Sequence, residues 1–266
     1  MCLTIAGSDS GGGAGIQADL KAFAACGAHG ASALTALTAQ NTVGVSAVHV
    51  VPPEFIVAQV RAVVEDLGVD AVKVGMLGGV QTIAAVAEAL RLVADSVPVV
   101  IDPVMVAESG ARLLDLDAVH ALVEQMLPRA TVVTPNLPEA RVLAGAEEGQ
   151  ADPELLARAI HALGPAAVVV TGGHGVSAVD VLFDGASTTE IPGPRYPDGA
   201  AHGSGCTHAS ALAAHLAHGF SLQAAANAAR RVAAEAVRCG LREVGAGAGP
   251  VDALCVLDRT PSRHPV

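Results

Sequence analysis

The chain has 266 residues and a formal net charge of −11, and 52% of its residues are hydrophobic while only 15% are charged. This length suits one large α/β domain or two small ones, and the high apolar content excludes global disorder. The acidic balance disfavours nucleic acid and anionic membranes as main partners, because both are bound by basic protein faces.

Short apolar strands alternate with amphipathic helical segments along most of the chain. The predicted strands, in chain order, are Leu3–Ala6, Ser32–Leu37, Ala47–Val51, Ala71–Val74, Val97–Ile101, Thr131–Thr134, Ala167–Thr171 and Ala178–Phe183. The predicted helices begin near Gly15, Glu54, Val80, Asp115, Pro153, Cys206 and Leu222. In the first of these helices, Ile16, Leu20 and Phe23 recur at helical spacing and form one apolar face.

This alternation predicts an α/β fold in which helices cover both faces of a mostly parallel sheet. We find no linker and no repeat, so we expect a single domain over residues 1–266 with a loosely held tail at 258–266. Ligands of such folds bind at the carboxyl ends of the strands. Several predicted strands run there into Gly- or Pro-rich turns, which begin at Gly7, Gly75, Asp102, Pro135 and Gly172. The sequence therefore predicts one site along a single rim of the sheet.

The five cysteines are an odd number and include no CxxC pair. The first residues have the pattern of a strand rather than of a signal peptide, and no apolar run approaches the roughly 18 residues of a membrane-spanning helix. We therefore expect a cytoplasmic protein with reduced thiols.

A glycine-rich segment from Gly7 to Asp19 follows the first predicted strand and opens the first helix. Such a loop lets the backbone approach a ligand closely and turns N–H groups toward an anion. It lacks the Lys-Ser/Thr pair of a Walker A loop and the GxGxxG spacing of dinucleotide-binding proteins, which disfavours a dehydrogenase. Taken alone, the segment is more often an ordinary tight turn than a functional loop.

A second small-residue segment, from His202 to Thr207, precedes an alanine-rich helix. Free N–H groups and the positive end of the helix dipole make this a suitable place for charge on a transferring phosphoryl group. The same environment predicts a lowered pKa and thiolate character for Cys206. A tight turn with a buried cysteine is the alternative explanation, and the spacing matches no common zinc site.

A third segment places Asn136 and Glu139 three residues apart at the start of a helix, so that both side chains face the same side. An amide and a carboxylate in that position suit Mg²⁺, held through water molecules. Helix capping by Asn136, with Glu139 facing the helix dipole, explains the same pattern.

Together and in this order, these segments resemble the hydroxymethylpyrimidine kinases of thiamin biosynthesis, which are members of the ribokinase-like superfamily. The resemblance spans about residues 3–251, and its matching segments are 7–21, 38–42, 73–77, 102–105, 134–140, 172–174 and 202–207. It implies a ribokinase-like three-layer αβα sandwich. It also implies that ATP and Mg²⁺ are used to phosphorylate 4-amino-5-hydroxymethyl-2-methylpyrimidine and then its monophosphate. Relatives are commonly dimers, so the resemblance also implies a homodimer.

The resemblance also implies roles for single positions. The pyrimidine is expected to contact Gln40, Asp19, Gly7, Met76 and Val104, with the Gln40 amide bonding the edge of the ring. The nucleotide is expected near Asn136, Thr171 and Gly173, and the metal at Glu139. The anion hole is expected at Gly203, Ser204, Gly205 and Cys206, where Cys206 replaces the aspartate base of many relatives. The resemblance assigns no role to Lys73, which could be structural or functional.

Cys206 is expected to take or orient the proton of the substrate hydroxymethyl group. The second phosphorylation has a phosphate oxygen as its acceptor and needs no base, so Cys206 should matter more for the first step.

Two departures from the family pattern lie at the phosphate end of the expected site. Thr171 stands where the family usually has a lysine, and residues 198–201 replace a Thr-Lys-Asn-Thr run. They put the second phosphorylation in question more than the fold. A pyridoxal or pyridoxine kinase is the nearest enzymatic alternative. A non-catalytic pyrimidine-binding protein with a degraded ATP site is the alternative from a different class.

Overall fold

The computed structural model describes residues 1–106, 110, 113–114, 116–147, 149, 152–172, 179–197 and 199–256. Its strands are β1 (Cys2–Asp9), β2 (Gly30–Asn41), β3 (Gly44–Val50), β4 (Ala71–Val74), β5 (Val99–Ile101), β6 (Val132–Val133), β7 (Val168–Val170), β8 (Val179–Phe183) and β9 (Thr188–Pro192). Its helices are α1 (Gly15–Ala25), α2 (Pro53–Asp66), α3 (Val80–Leu90), α4 (Leu116–Gln125), α5 (Leu137–Ala144), α6 (Pro153–His161), α7 (Ser204–Ala217) and α8 (Leu222–Arg238).

The strands of the described residues form one sheet in the order β3-β2-β1-β4-β5-β6-β7-β8-β9. The six strands from β2 to β7 in that order are parallel neighbours, and β3, β8 and β9 pair in antiparallel fashion at the two edges. The predicted mostly parallel sheet is therefore confirmed.

The predicted strands are all present, with bounds that differ by a few residues. The fifth begins at Val99 instead of Val97, and Pro98 between them has no N–H to donate to a neighbouring strand. Strand β9 was not predicted, because Ile191 is its one buried residue and the segment carries little apolar periodicity.

Two apolar cores lie on opposite faces of the sheet. Neighbouring residues of one strand alternate between them, so Val99 and Ile101 join one core while Val100 joins the other. Helices α2, α3, α4 and α6 cover the first face, and α1, α7 and α8 cover the second. The predicted apolar face of α1 is confirmed, since Ile16 and Phe23 are buried and Leu20 packs against the second core. This arrangement is the expected three-layer αβα sandwich.

The last part of the described chain returns along α8. Asp252 N–H donates to the carbonyl of Ala236 at 2.9 Å, and Cys239 and Cys255 are paired as a disulfide with their Cα atoms 5.3 Å apart. The expectation of uniformly reduced thiols is therefore wrong for this pair. The two cysteines are 16 residues apart, and this spacing alone does not predict a disulfide. Only the fold brings the end of α8, at Cys239, next to the segment that contains Cys255. The predicted tail at 258–266 lies outside the described residues.

A search of the described helices finds none that is long and apolar enough to span a membrane.

Candidate active site

A cavity of about 520 Å³ lies at the carboxyl edge of the sheet. One end is lined by the last residues of β1 and β2 and by residues just after β4 and β5, and the other by residues of β8, α8 and the turn after β7. The first turn of α7 lies along the cavity between these groups of strands. The parallel register explains the gathering, because it brings the ends of distant strands to one rim.

Most of the residues assigned from the sequence line this cavity. They are Gly7, Gln40, Met76, Val104, Asn136, Glu139, Thr171, Gly203, Ser204, Gly205 and Cys206. Gly173 lies outside the described residues. Asp19 does not line the cavity and is fully buried, so its expected contact with a substrate disagrees with this geometry.

Asp19 instead forms a buried ion pair beneath the cavity. Its carboxylate accepts from Lys73 Nζ at 2.9 and 3.2 Å, from Thr4 Oγ1 at 2.6 Å and from Ser210 Oγ at 2.8 Å. Burial alone would lower the pKa of the Lys73 ammonium, but neighbouring acidic groups, Asp19 foremost, raise it. Lys73 is thus a fixed buried cation. Its Nζ also lies 3.4 Å from Asp102 Oδ2, and this contact links the ion pair to the cavity.

Asp102 follows β5 and brings a second carboxylate to the cavity beside Glu139. Its Oδ2 atom is buried, and its ionic contact with Lys73 Nζ at 3.4 Å is long. Burial raises the pKa of Asp102, against the opposing effect of Lys73. Burial, and then the charge of Asp102, raise the pKa of Glu139 to about 8. Two buried carboxylates that disfavour each other's ionisation are suited to share a divalent cation.

Glu139 also completes a capping box at the start of α5. Asn136 Oδ1 accepts from Glu139 N–H at 2.9 Å, and Glu139 Oε2 accepts from Asn136 N–H at 2.9 Å. Glu139 Oε1 additionally accepts from Met105 N–H at 3.3 Å. The capping explanation of this motif is therefore confirmed, and it coexists with a carboxylate that lines the cavity.

The start of α7 forms the middle of the cavity wall. Gly203 adopts a left-handed conformation with φ of +87° as the N-terminal cap, and the N–H groups of a first helical turn have no carbonyl partner within the helix. Ser204, Gly205 and Cys206 follow and line the cavity. This is the geometry expected of an anion hole.

The Cys206 thiol does not have the low pKa that the sequence predicted. Burial raises its pKa to about 12, and the negative charges of Asp102 and Asp19 add to this, while Lys73 and a bond from the Gly15 N–H oppose it. The effect expected from the helix terminus is therefore outweighed by burial and by the carboxylates of Asp102, after β5, and Asp19, in α1. Cys206 is a protonated thiol at neutral pH.

The end of the cavity near β7 and β8 holds a cluster of charged side chains that the sequence did not single out. Asp180 Oδ1 accepts from Gly172 N–H at 2.9 Å, and Asp180 Oδ2 lies 3.0 Å from His208 Nε2. Arg230 Nε lies 3.8 Å from Asp180 Oδ1, and Arg230 Nη2 donates to the Pro194 carbonyl at 3.4 Å. Asp180, His208 and Arg230 are all buried, yet all line the cavity. Arg230 is the one arginine or lysine among its described lining residues.

Comparison with known proteins agrees with this architecture. A family model described as phosphomethylpyrimidine kinase matches residues 9–252. A hydroxymethylpyrimidine/phosphomethylpyrimidine kinase of Rhizobium meliloti is 50% identical over 256 residues, covering 94% of this chain and 96% of its own. The thiamine biosynthesis bifunctional protein ThiED of Geobacter sulfurreducens is 47% identical over 267 residues, and this chain spans 54% of its length. The Staphylococcus aureus pyridoxal kinase in complex with pyridoxal superposes with a TM-score of 0.84 at 34% identity, covering 96% of this chain and 93% of its own.

Proposed function

This chain belongs to the phosphomethylpyrimidine kinase family, and we propose that it transfers the γ-phosphoryl group of ATP to 4-amino-5-hydroxymethyl-2-methylpyrimidine and then to the resulting monophosphate, in thiamin biosynthesis. The observation that carries the proposal is the order of groups along one cavity. A pocket with apolar walls from Met76 and Val104 lies at one end, an anion hole lies in the middle, and a buried arginine lies at the other end.

The pocket between Met76 and Val104 suits a small aromatic ring. Met76 and Val104 supply apolar walls, and the absence of a side chain at Gly7 leaves room for the Met76 sulfur, which would lie 3.0 Å from a Cβ at that position. Gln40 Oε1 lies 3.1 Å from Thr38 Oγ1, whose single hydrogen is shared between this oxygen and the Ser8 carbonyl at 3.0 Å. The Gln40 amide thus keeps both a donor and an acceptor for the edge of an aminopyrimidine.

The proposed reaction is an in-line phosphoryl transfer governed by positioning and charge stabilisation. Glu139 and Asp102 would hold Mg²⁺, and two buried carboxylates that line the same cavity fit that role. The bound ion would neutralise charge on the phosphates. The first turn of α7 is placed to stabilise charge on the transferring group. The buried ion pair of Asp19 and Lys73 positions Asp102, because Lys73 Nζ contacts both carboxylates.

Because Cys206 is protonated, we propose that it orients the hydroxymethyl group as a hydrogen-bonding thiol and does not remove its proton. It should matter more for the first phosphorylation than for the second, whose acceptor is already anionic. In Cys206→Ala, equal losses of the two steps would contradict this assignment.

We expect the Cys206 thiol to react slowly with alkylating reagents. With a pKa of about 12, its thiolate fraction at pH 7.5 is lower than that of an ordinary thiol by about a thousandfold. We expect iodoacetamide, in the presence of EDTA, to modify Cys206 at less than about one hundredth of the rate of free cysteine, as measured by peptide mass spectrometry. Denatured protein at the same pH is the control. Rapid modification of the folded protein would show that Cys206 is a thiolate and would support its role as a base.

We propose that the nucleotide occupies the end of the cavity near β7 and β8. Thr171 supplies no cation there, but Arg230 lies nearby. Asp180 links the two positions, because its carboxylate contacts the Arg230 side chain and accepts from the N–H of Gly172, the residue after Thr171. An arginine suits either a phosphate or the face of a purine.

Arg230→Met is expected to weaken ADP binding by about 10- to 100-fold, the range of a lost hydrogen bond to a charged group. Binding of the pyrimidine should change by less than about twofold, since it occupies the other end of the cavity. Isothermal titration calorimetry with each ligand measures both effects. Arg231→Met is the matched control, because Arg231 is the next residue of α8 and is exposed. Equal weakening of both ligands would show a general effect on the fold.

The proposed function is tested by Mg²⁺-ATP turnover with hydroxymethylpyrimidine, its monophosphate and pyridoxal, with the phosphorylated products resolved. Monophosphate and diphosphate from the pyrimidine would establish both steps. Monophosphate alone would confine the enzyme to the first step and point to Thr171 and residues 198–201. Turnover of pyridoxal only would move the activity to vitamin B6 salvage, the alternative that the Staphylococcus aureus structure supports. Pyrimidine binding without turnover would favour a non-catalytic protein.

We also propose a homodimer in the cytoplasm. Strand β3 lies at the edge of the sheet with most of its residues exposed, among them Val48 and Val50. An apolar edge strand of this kind is suited to pairing with a second copy. Light scattering of the purified protein measures the mass.

A further inference from the structure

His202 and Asp9 form a buried contact that joins two walls of the cavity. Asp9 ends β1 and His202 immediately precedes the anion hole, 193 residues along the chain, yet His202 Nε2 lies 3.1 Å from Asp9 Oδ2. Both residues are buried and both line the cavity. Neither has a part in the chemistry described above.

Asp9 organises the glycine-rich loop that follows it. Its Oδ1 accepts from Gly11 N–H at 2.8 Å, and its Oδ2 accepts from Gly13 N–H at 3.0 Å and from Ala14 N–H at 2.9 Å. Burial opposes ionisation, but His202 and these N–H groups lower the pKa of Asp9. Because an ionised carboxylate only accepts, Nε2 of His202 carries the hydrogen of the contact.

The backbones on the two sides of this contact are in van der Waals contact. A Cβ at Gly13 would lie 2.2 Å from His202 Cδ2, and a Cβ at Gly203 would lie 1.8 Å from the carbonyl oxygen of Gly13. Neither position has room for a side chain. The glycine loop therefore contacts the start of α7 directly, with His202 packed on Gly13.

His202 is also held from the side of the C-terminal segment. Its N–H donates to the Gly249 carbonyl at 3.2 Å, and its carbonyl accepts from Val251 N–H at 3.0 Å. Pro250, between them, packs against Gly13, where an added Cβ would lie 3.0 Å from the proline Cβ. The backbone of His202 is thus fixed, and the imidazole has one defined partner across the cavity.

We propose that Asp9 and His202 are a positioning pair, which holds the N–H groups of the first turn of α7 at a fixed distance from the glycine-rich loop after β1. In the proposed phosphoryl transfer, on which this inference rests, that distance sets the alignment of the acceptor oxygen with the transferring group. Misplacement of a reacting group by about 1 Å can cost about 100-fold in rate.

The test compares kcat and KM of the full-length enzyme with Mg²⁺-ATP and hydroxymethylpyrimidine. His202→Leu is expected to lower kcat by about 100-fold and to change KM for ATP by less than about threefold. His202→Gln keeps an N–H near the position of Nε2 and should recover at least about tenfold of the loss. His215→Leu is the control, since His215 lies further along α7, bonds the carbonyl of Ala211 and does not line the cavity.

A double-mutant cycle then separates positioning from general stability. If the two residues act as one unit, Asp9→Asn combined with His202→Leu should lose no more than about threefold beyond the worse single variant. Losses that multiply would overturn the proposal, as would a His202→Gln enzyme as slow as His202→Leu, which would indicate a reacting imidazole. A kcat loss that follows the melting temperature would also overturn it. If the wild-type enzyme itself fails to turn over, the proposed function fails, and that outcome is distinct from these.

Discussion

Glu139→Gln is expected to lower kcat for both phosphorylations by at least about 100-fold and to raise the Mg²⁺ concentration needed for half-maximal rate. The carboxylate lines the cavity and interacts electrostatically with Asp102. Removing its charge leaves a single acid to balance the ion, whereas a buried metal site depends on the number of charged ligands.

Glutamine is the informative replacement because it keeps the shape of the side chain and the cap of α5. Glu139 accepts from Asn136 N–H through Oε2 and from Met105 N–H through Oε1. A glutamine oxygen can keep the first of these bonds, whereas its NH2 group cannot accept the second. Loss of activity with an intact fold would therefore report the charge. Glu154→Gln is the matched control, since Glu154 lies in the first turn of α6, is only partly buried and does not line the cavity.

Stability should change in the opposite direction to activity. The pKa of Glu139 is raised to about 8 by burial, so the folded protein favours the neutral form. Protonated Glu139 therefore contributes to the free energy of unfolding. This contribution is complete below the unfolded pKa near 4.5 and is lost as the pH rises toward 8. In EDTA at pH 8, Glu139→Gln should melt at a temperature equal to or higher than the wild type. A lower melting temperature with full activity would contradict the assignment of Glu139 as a metal ligand.

The sheet and the rim of the site could be predicted because each depends on local sequence. An apolar strand followed by a Gly or Pro turn marks a carboxyl edge, and Met76 and Thr171, which lie at such turns, line the cavity. Gln40 lines it too, but its assignment comes from the family resemblance, because no Gly or Pro turn follows its predicted strand. Strand β9 has no such signal, since a solvated edge strand needs few apolar residues.

Long-range electrostatic contacts were harder to predict from the sequence. Asp19 lies three residues after Ile16, so it falls on the buried face of α1, and that spacing could have indicated a buried carboxylate in need of a partner. The partner, Lys73, is 54 residues away. Likewise, the pKa of Cys206 depends on burial and then on Lys73 and Asp102, and only the folded chain brings these groups together.

Gly203→Ala is expected to abolish detectable activity, a loss of at least about a thousandfold. The residue has a φ of +87°, which L side chains rarely adopt, and a Cβ there would lie 1.8 Å from the carbonyl oxygen of Gly13. Either the turn or the glycine loop must move, and the anion hole moves with it.

Gly205→Ala makes the comparison specific, because Gly205 lies two residues further in the same turn and a Cβ there meets open space. It should fold with an unchanged melting temperature. Any loss of its activity then reports a methyl group in the space of the transferring phosphoryl group, whereas Gly203→Ala reports displacement of the turn itself. Melting curves and turnover of the two proteins, measured in parallel, separate these effects. A Gly203→Ala enzyme that kept wild-type kcat would show that the first turn of α7 stabilises no charge in the reaction, and the phosphoryl-transfer site would then have to lie elsewhere in the cavity.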